Sequence, residues 1–117
     1  MYDTSKTEVL GECMNLKGSL PLLILHILSQ QPSHGYRIAQ EIKQRSAGVL
    51  DFKEGTLYPT LHTLEHKALI ASYTDNDSGR TRRYYRLTEA GHAVLAQERE
   101  EWMRYAQAIT NILGEAT

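Results

Sequence analysis

Three groups of residues in this chain have types and spacings that could do chemistry. The first is His62-Thr63-Leu64-Glu65-His66, two imidazoles four residues apart with a carboxylate between them. On a helix the two rings share a face, and H-x-x-E-H is a pattern that can hold zinc and activate a bound water. Such a centre also needs a third protein ligand and a substrate cleft, and 117 residues leave little chain for both. A zinc-dependent hydrolase through His62, Glu65 and His66 is therefore the lesser reading, behind adventitious metal binding, and no cofactor is expected. The second group runs from Gly79 to Leu87, with Arg80, Arg82, Arg83 and Arg86 and no acid. Local sign attracts phosphate more than net charge does, so a formal net charge of −1 does not oppose a nucleic-acid partner. The bland alternative is a solvated strand edge kept from pairing by charge, which lysine would serve equally well. The third group is Trp102, the only tryptophan, with Met103 and Tyr105 beside it.

The elements that must position these groups follow from periodicity. Leu57, Leu61 and Leu64 fall at i, i+4 and i+7, one buried helix face. The opposite face carries Thr56, Thr60, Thr63 and Lys67, which let a large molecule come close. Ile70 to Thr74 is β-prone, Asp75 to Gly79 is a turn cluster, and Arg80 to Leu87 is a returning strand with Tyr85 and Leu87 inward. A helix followed by a basic-tipped two-stranded hairpin is the order of a winged helix. A helix starting near Lys53 to Thr56 and entering a major groove by its N-terminal end places Thr56, Tyr58, Pro59 and His62 near bases. Lys53 then lies near phosphate. Tyr58 has a second reading, half-buried by ring packing. Pro59 costs little in a first turn and removes one hydrogen bond if the helix begins earlier.

Upstream, Ser19-Leu20-Pro21 reads as a helix start, and Leu20, Leu23, Ile24, Ile27 and Leu28 give the helical period. Leu22 and Leu25 make that helix apolar nearly all round, so the core or a second subunit must cover both sides. Gln30 to Ser33 breaks the chain, with Ser33 the expected cap of a second helix to about Arg45. Near its start, Tyr36 either hydrogen-bonds a phosphate or packs at the core edge. Val49, Leu50 and Phe52 are expected to tuck under the domain. Residues 1–14 read as a tail or a short accessory helix, and the single Cys13 excludes an internal disulfide.

Downstream, Thr88 caps a helix running from Glu89 to about Leu113, roughly 37 Å at 1.5 Å per residue. Its outer half outruns the rest of the domain yet stays apolar. Leu95, Trp102 and Ile109 repeat at seven, with Tyr105, Ala106, Ile112 and Leu113 beside them. A heptad-like stripe without an intrachain partner implies a homodimer. Two recognition helices then call for a palindromic operator in double-stranded DNA. Trp102 is either the largest interface anchor or one half of a sandwich for a flat aromatic effector, lined by Met103 and Tyr105. No apolar stretch reaches membrane-spanning length and no export signal is seen, which points to the cytoplasm.

Together, Gly55-Thr56-Leu57-Tyr58-Pro59, Leu61, Leu64-Glu65, Leu69-Ile70 and Arg83 to Gly91 resemble the PadR family of bacterial transcriptional regulators, with His34-Gly35-Tyr36 resembling its second-helix start. The resemblance covers most of the chain from about Leu16. It implies a fold mainly α with a small β-hairpin, a winged helix-turn-helix over residues 15–88 and a dimerisation helix over 89–117. It also implies a repressor, and a single helix after the wing is similar to the smaller subgroup. Some drug-sensing members look similar in placing a Trp at this point of the helix. One departure stands out: the family usually has Gly where this chain has Ala68. The alternative function is a winged helix that binds protein, indifferent to charge reversal at Arg80 and Arg82.

Overall fold

An all-round apolar helix has to be covered on every side, and α1 (Leu16–Gln30) is the centre of the fold. Leu20, Ile24, Leu25, Ile27 and Leu28 are buried, with Leu22 and Leu23 half-buried against the same core. Around it lie β1 (Ser33–His34), α2 (Gly35–Arg45), α3 (Glu54–His66), β2 (Ile70–Asp77), β3 (Arg80–Leu87) and α4 (Glu89–Leu113). The computed structural model describes residues 16–77 and 79–114. The expected tail or accessory helix over residues 1–14, with Cys13, lies outside them. The fold is mainly helical with a three-stranded antiparallel sheet in the order β1-β3-β2.

Several local expectations change. α1 begins earlier than read from sequence, at Leu16, whereas α3 begins at Glu54, within the expected range; Pro21 and Pro59 both lie inside their helices and each removes one intrahelical bond. Ser33 does not cap α2; it is 1% exposed and pairs with Tyr85 as part of β1. His34 caps instead, its Nδ1 accepting the Arg37 N–H at 3.2 Å. Val49 is 72% exposed, while Leu50 and Phe52 do pack against the core. The turn cluster is also shorter than expected. Asp75, Asn76 and Asp77 pair with Arg82, Thr81 and Arg80, leaving a two-residue loop with Gly79 at φ +81°. His26, partly buried on α1, has its pKa lowered from the usual value by burial and then by the charges of Arg45 and Arg99.

Two helix ends carry strain of one kind. After α3, Ala68 N–H bonds the Glu65 carbonyl at 2.9 Å and Leu69 N–H bonds that of Leu64 at 3.0 Å. This double closure needs a left-handed residue, normally glycine, and Ala68 sits there at φ 62°. Ala47 repeats the arrangement after α2 at φ 54°, with Ala47 N–H to the Gln44 carbonyl and Gly48 N–H to that of Lys43. The helix exit keeps its position despite the missing glycine, and Ala68 absorbs the cost. Ala68→Gly should therefore stabilise the protein by about 0.5–1 kcal/mol, the left-handed penalty of alanine outweighing glycine's extra unfolded-state entropy. Thermal unfolding at fixed protein concentration checks this; an unchanged or lower midpoint would contradict it.

At the root of the wing, β3 turns into α4 through one close contact. Thr88 Oγ1 accepts the Gly91 N–H at 3.0 Å and donates back to the Ala68 and Leu69 carbonyls at 2.8 and 3.0 Å. Gly91 is buried, and a Cβ there would collide with the Leu69 carbonyl oxygen and the Leu87 side chain. The Thr88-Glu89-Ala90-Gly91 run is thus a joint between wing and final helix.

Candidate nucleic-acid interface

Leu57, Leu61 and Leu64 hold α3 onto the core, at 1%, 0% and 4% exposure. That leaves its other face outward beside the wing. Between the N-terminal end of α2, α3 and β3 lies an open groove of about 520 Å³. Six of the nine residues marked for nucleic acid line it: Tyr36, Tyr58, His62, Arg80, Arg82 and Arg83. Residues separated by more than forty positions therefore converge on one concave, basic surface.

The other three lie around its rim. Lys53 is the exposed N-cap of α3 with no side-chain cap bond, and lines a neighbouring depression with Lys43 and Asp51. Thr56 is half-buried and Pro59 exposed; their carbonyls accept the hydroxyls of Thr60 at 2.9 Å and Thr63 at 3.0 Å. Those internal bonds keep the small side chains flat against the helix. Gly55 sits just inside α3, and a methyl added there would meet nothing within 4 Å. Packing within the chain gives no reason for glycine at that point, whereas close approach by a large partner does.

Tyr36 is 61% exposed, its ring stacked on His34 at 6.5 Å and its hydroxyl accepting from Gln40 at 3.3 Å. Tyr58 is half-buried, lying so close to Gly35 that a Cβ there would stand 2.7 Å from its hydroxyl. Gly35 thus lets α2 and α3 meet at the head of the groove.

The wing arginines differ in what they touch. Arg80 is exposed at the tip. Arg82 Nη1 stands 3.1 Å from His34 Nε2. A neutral imidazole has one lone pair, and His34 Nδ1 offers it to the Arg37 N–H. One lone pair cannot serve both, so the Arg37 N–H and Arg82 compete for the same ring. Arg83 turns the other way, within 3.5 Å of Glu65 Oε2 and bonded to Ser72 Oγ at 2.9 Å. Alternation alone did not reveal this tie, because Glu65 comes from another element. With Glu65 so engaged, the His62-Glu65-His66 pattern loses its free carboxylate. Among the described residues no three His, Cys, Asp or Glu side chains are grouped to hold a metal.

On α4, Leu95 is 8% exposed and belongs to the protomer's own core. The uncovered part of the stripe therefore starts at Trp102. Trp102, Tyr105, Ala106 and Ile109 are half-buried, and Ile112 and Leu113 are 82% and 71% exposed. Trp102 and Tyr105 lie with ring centres 6.1 Å apart. Met103, 57% exposed, is about 100° around the helix from Trp102, at the edge of the stripe.

Comparison with known proteins agrees with this geometry. Residues 24–97 match the sequence model of the transcriptional regulator PadR-like family. The transcriptional regulator Rv3488 of Mycobacterium tuberculosis is 37% identical over 93 residues, 80% of this chain and 84% of that one. The crystal structure of a PadR family transcription regulator from Clostridium difficile R20291 is similar at a TM-score of 0.75 and 36% identity, covering 83% of this chain and 100% of that one. A PadR-like transcriptional regulator from Bacillus cereus is similar at a TM-score of 0.76 and 29% identity, covering 85% and 95%.

Proposed function

The chain belongs to the PadR-like family of transcriptional regulators, and from that premise we propose a homodimeric repressor that binds a palindromic operator and is released by a small aromatic ligand or another signal. Regulators of this family bind DNA and are not enzymes. The observation that carries the finer reading is the convergence of Tyr36, Tyr58, His62, Arg80 and Arg82 on one groove. In this reading the N-terminal half of α3 enters the major groove, with Thr56, Tyr58, Pro59 and His62 toward bases. Lys53 and Tyr36 hold phosphates, and Arg80 and Arg82 border the flanking minor groove.

The dimer forms through α4, from Trp102 through Ala106 and Ile109 to Ile112 and Leu113. Large exposed aliphatics at the end of a projecting helix favour a second copy. Two-fold symmetry then sets half-sites about one helical turn, roughly 34–36 Å, apart. No helix among the described residues is long and apolar enough to cross a membrane, and we place the regulator with its DNA in the cytoplasm. Sedimentation of the free protein and footprinting on its own upstream DNA test this together. A dimer with a symmetric two-half-site footprint is expected; a monomer protecting one half-site would overturn the dimeric reading.

The half-buried Trp102 beside Tyr105, with Met103 at the edge, supports an effector site between the two copies. Because Trp102 is the only tryptophan, its emission reports the site directly. Titration with planar aromatic compounds should quench it and release DNA in parallel. Unchanged emission across such a panel would leave Trp102 as an interface anchor alone.

A further inference from the structure

Arg83 differs from the other wing arginines, and its role follows from what it holds. Alternation along β3 sends Arg80, Arg82, Tyr84 and Arg86 to one face and Arg83, Tyr85 and Leu87 to the other. Tyr85 and Leu87 are buried there, at 1% and 8% exposure. Arg83 thus lies on the helix side of the sheet, over α3. Its Nη2 donates to Ser72 Oγ on β2 at 2.9 Å and stands 3.5 Å from Glu65 Oε2 on α3. Ser72 Oγ in turn donates to the same carboxylate oxygen at 2.5 Å. Burial raises the pKa of the Tyr85 hydroxyl, and the Arg83 charge beside it opposes that.

An exposed ion pair alone would be worth at most about 1 kcal/mol and would yield to a phosphate. Here the same guanidinium also bonds a serine tied to the last turn of the recognition helix. Moving it to DNA would take a donor from Ser72 and the countercharge from the half-buried Glu65 together, and polar groups out of full solvent are costly to strip. Arg82, whose hydrogen-bond contact is to an imidazole already contacted by the Arg37 N–H, has no countercharge comparable to Glu65 to lose. Resting on the DNA-binding reading above, we propose that Glu65, Ser72 and Arg83 form a clamp fixing the wing's angle to α3. Arg83 is then a positioning residue, and Arg80 and Arg82 are the wing's phosphate contacts.

The two roles predict opposite results. Removing a carboxylate near DNA should tighten binding if only charge matters, whereas loss of the clamp should weaken it. Lysine keeps the charge of Arg83 but lacks the planar fork of donors that meets Ser72 and Glu65. The experiment is fluorescence anisotropy of the full chain on its own upstream duplex between about 50 and about 200 mM salt. Wild type, Glu65→Gln, Arg83→Lys and Arg83→Gln are compared, with thermal unfolding of each measured alongside. Glu65→Gln and Arg83→Lys should each weaken binding on the order of tenfold while folded, and all three variants should keep the wild-type salt slope. The clamp is overturned if Glu65→Gln binds as well as or better than wild type. It is also overturned if Arg83→Gln lowers the slope by about 1.8 per dimer, the signature of one lost phosphate contact per protomer. Failure of wild type itself to bind would sink the DNA reading and the clamp with it, a result distinct from either.

Discussion

Gly91→Ala should destabilise the protein by about 2–3 kcal/mol, a typical cost of forcing an extra methyl into a filled site. The added Cβ meets the Leu69 carbonyl, which is backbone and cannot swing aside. That carbonyl already accepts the Thr88 N–H at 3.1 Å and the Thr88 hydroxyl at 3.0 Å. Relief requires α4 to tilt away from Leu69, breaking the joint between the wing and the final helix. A domain of this size loses roughly 4–8 °C of thermal midpoint per kcal/mol, so the shift is large. Gly55→Ala is the natural control, because a methyl there meets nothing within 4 Å and should stabilise the helix by roughly 0.5–1 kcal/mol. Circular-dichroism melts at one protein concentration compare the two. An unaffected Gly91→Ala midpoint would mean that the wing and α4 are not joined as described.

The second large effect is on DNA. Replacing Arg80 and Arg82 by glutamine removes four cations per dimer. At about 0.9 per phosphate, the slope of log affinity against log salt should become shallower by about 3.6. Charge-assisted hydrogen bonds are worth about 1.5–3 kcal/mol each, so affinity at low salt should fall at least about 100-fold. Stability should stay within about 1 kcal/mol, because Arg80 is exposed and the half-buried Arg82 lies on the wing outside the hydrophobic core. An unchanged slope would mean that these side chains do not meet phosphate.

Much of this was readable before any coordinates. The spacing of Leu57, Leu61 and Leu64 assigns one face of α3 to the core, and all three are buried. Alternation assigns Tyr85 and Leu87 inward, as found. The run from Glu89 to Leu113 forms one helix because Thr88 caps it and no proline interrupts it. Ser33, β1, Leu95 and Arg83 are less legible for one reason: what each touches is distant in sequence. Ser33 has the residue type of a cap, but its backbone is claimed by Tyr85, so the adjacent His34 takes the task. Two residues are too few for a strand to show periodicity, which hid β1. Leu95 fits the heptad stripe but lies where α4 still rests on its own core. Arg83 reads as one more member of a basic run because the groups that hold it come from α3 and β2. Ala68, in contrast, was visible in sequence as a missing glycine, and its left-handed backbone follows from the bonds that end α3.

The most direct test of the central claim, that the α3–wing groove binds duplex DNA, is a gel shift of the purified protein with its own upstream duplex at two salt concentrations. A retarded band at about 50 mM salt that weakens steeply by about 200 mM is predicted. No retarded band at the lower salt would contradict it.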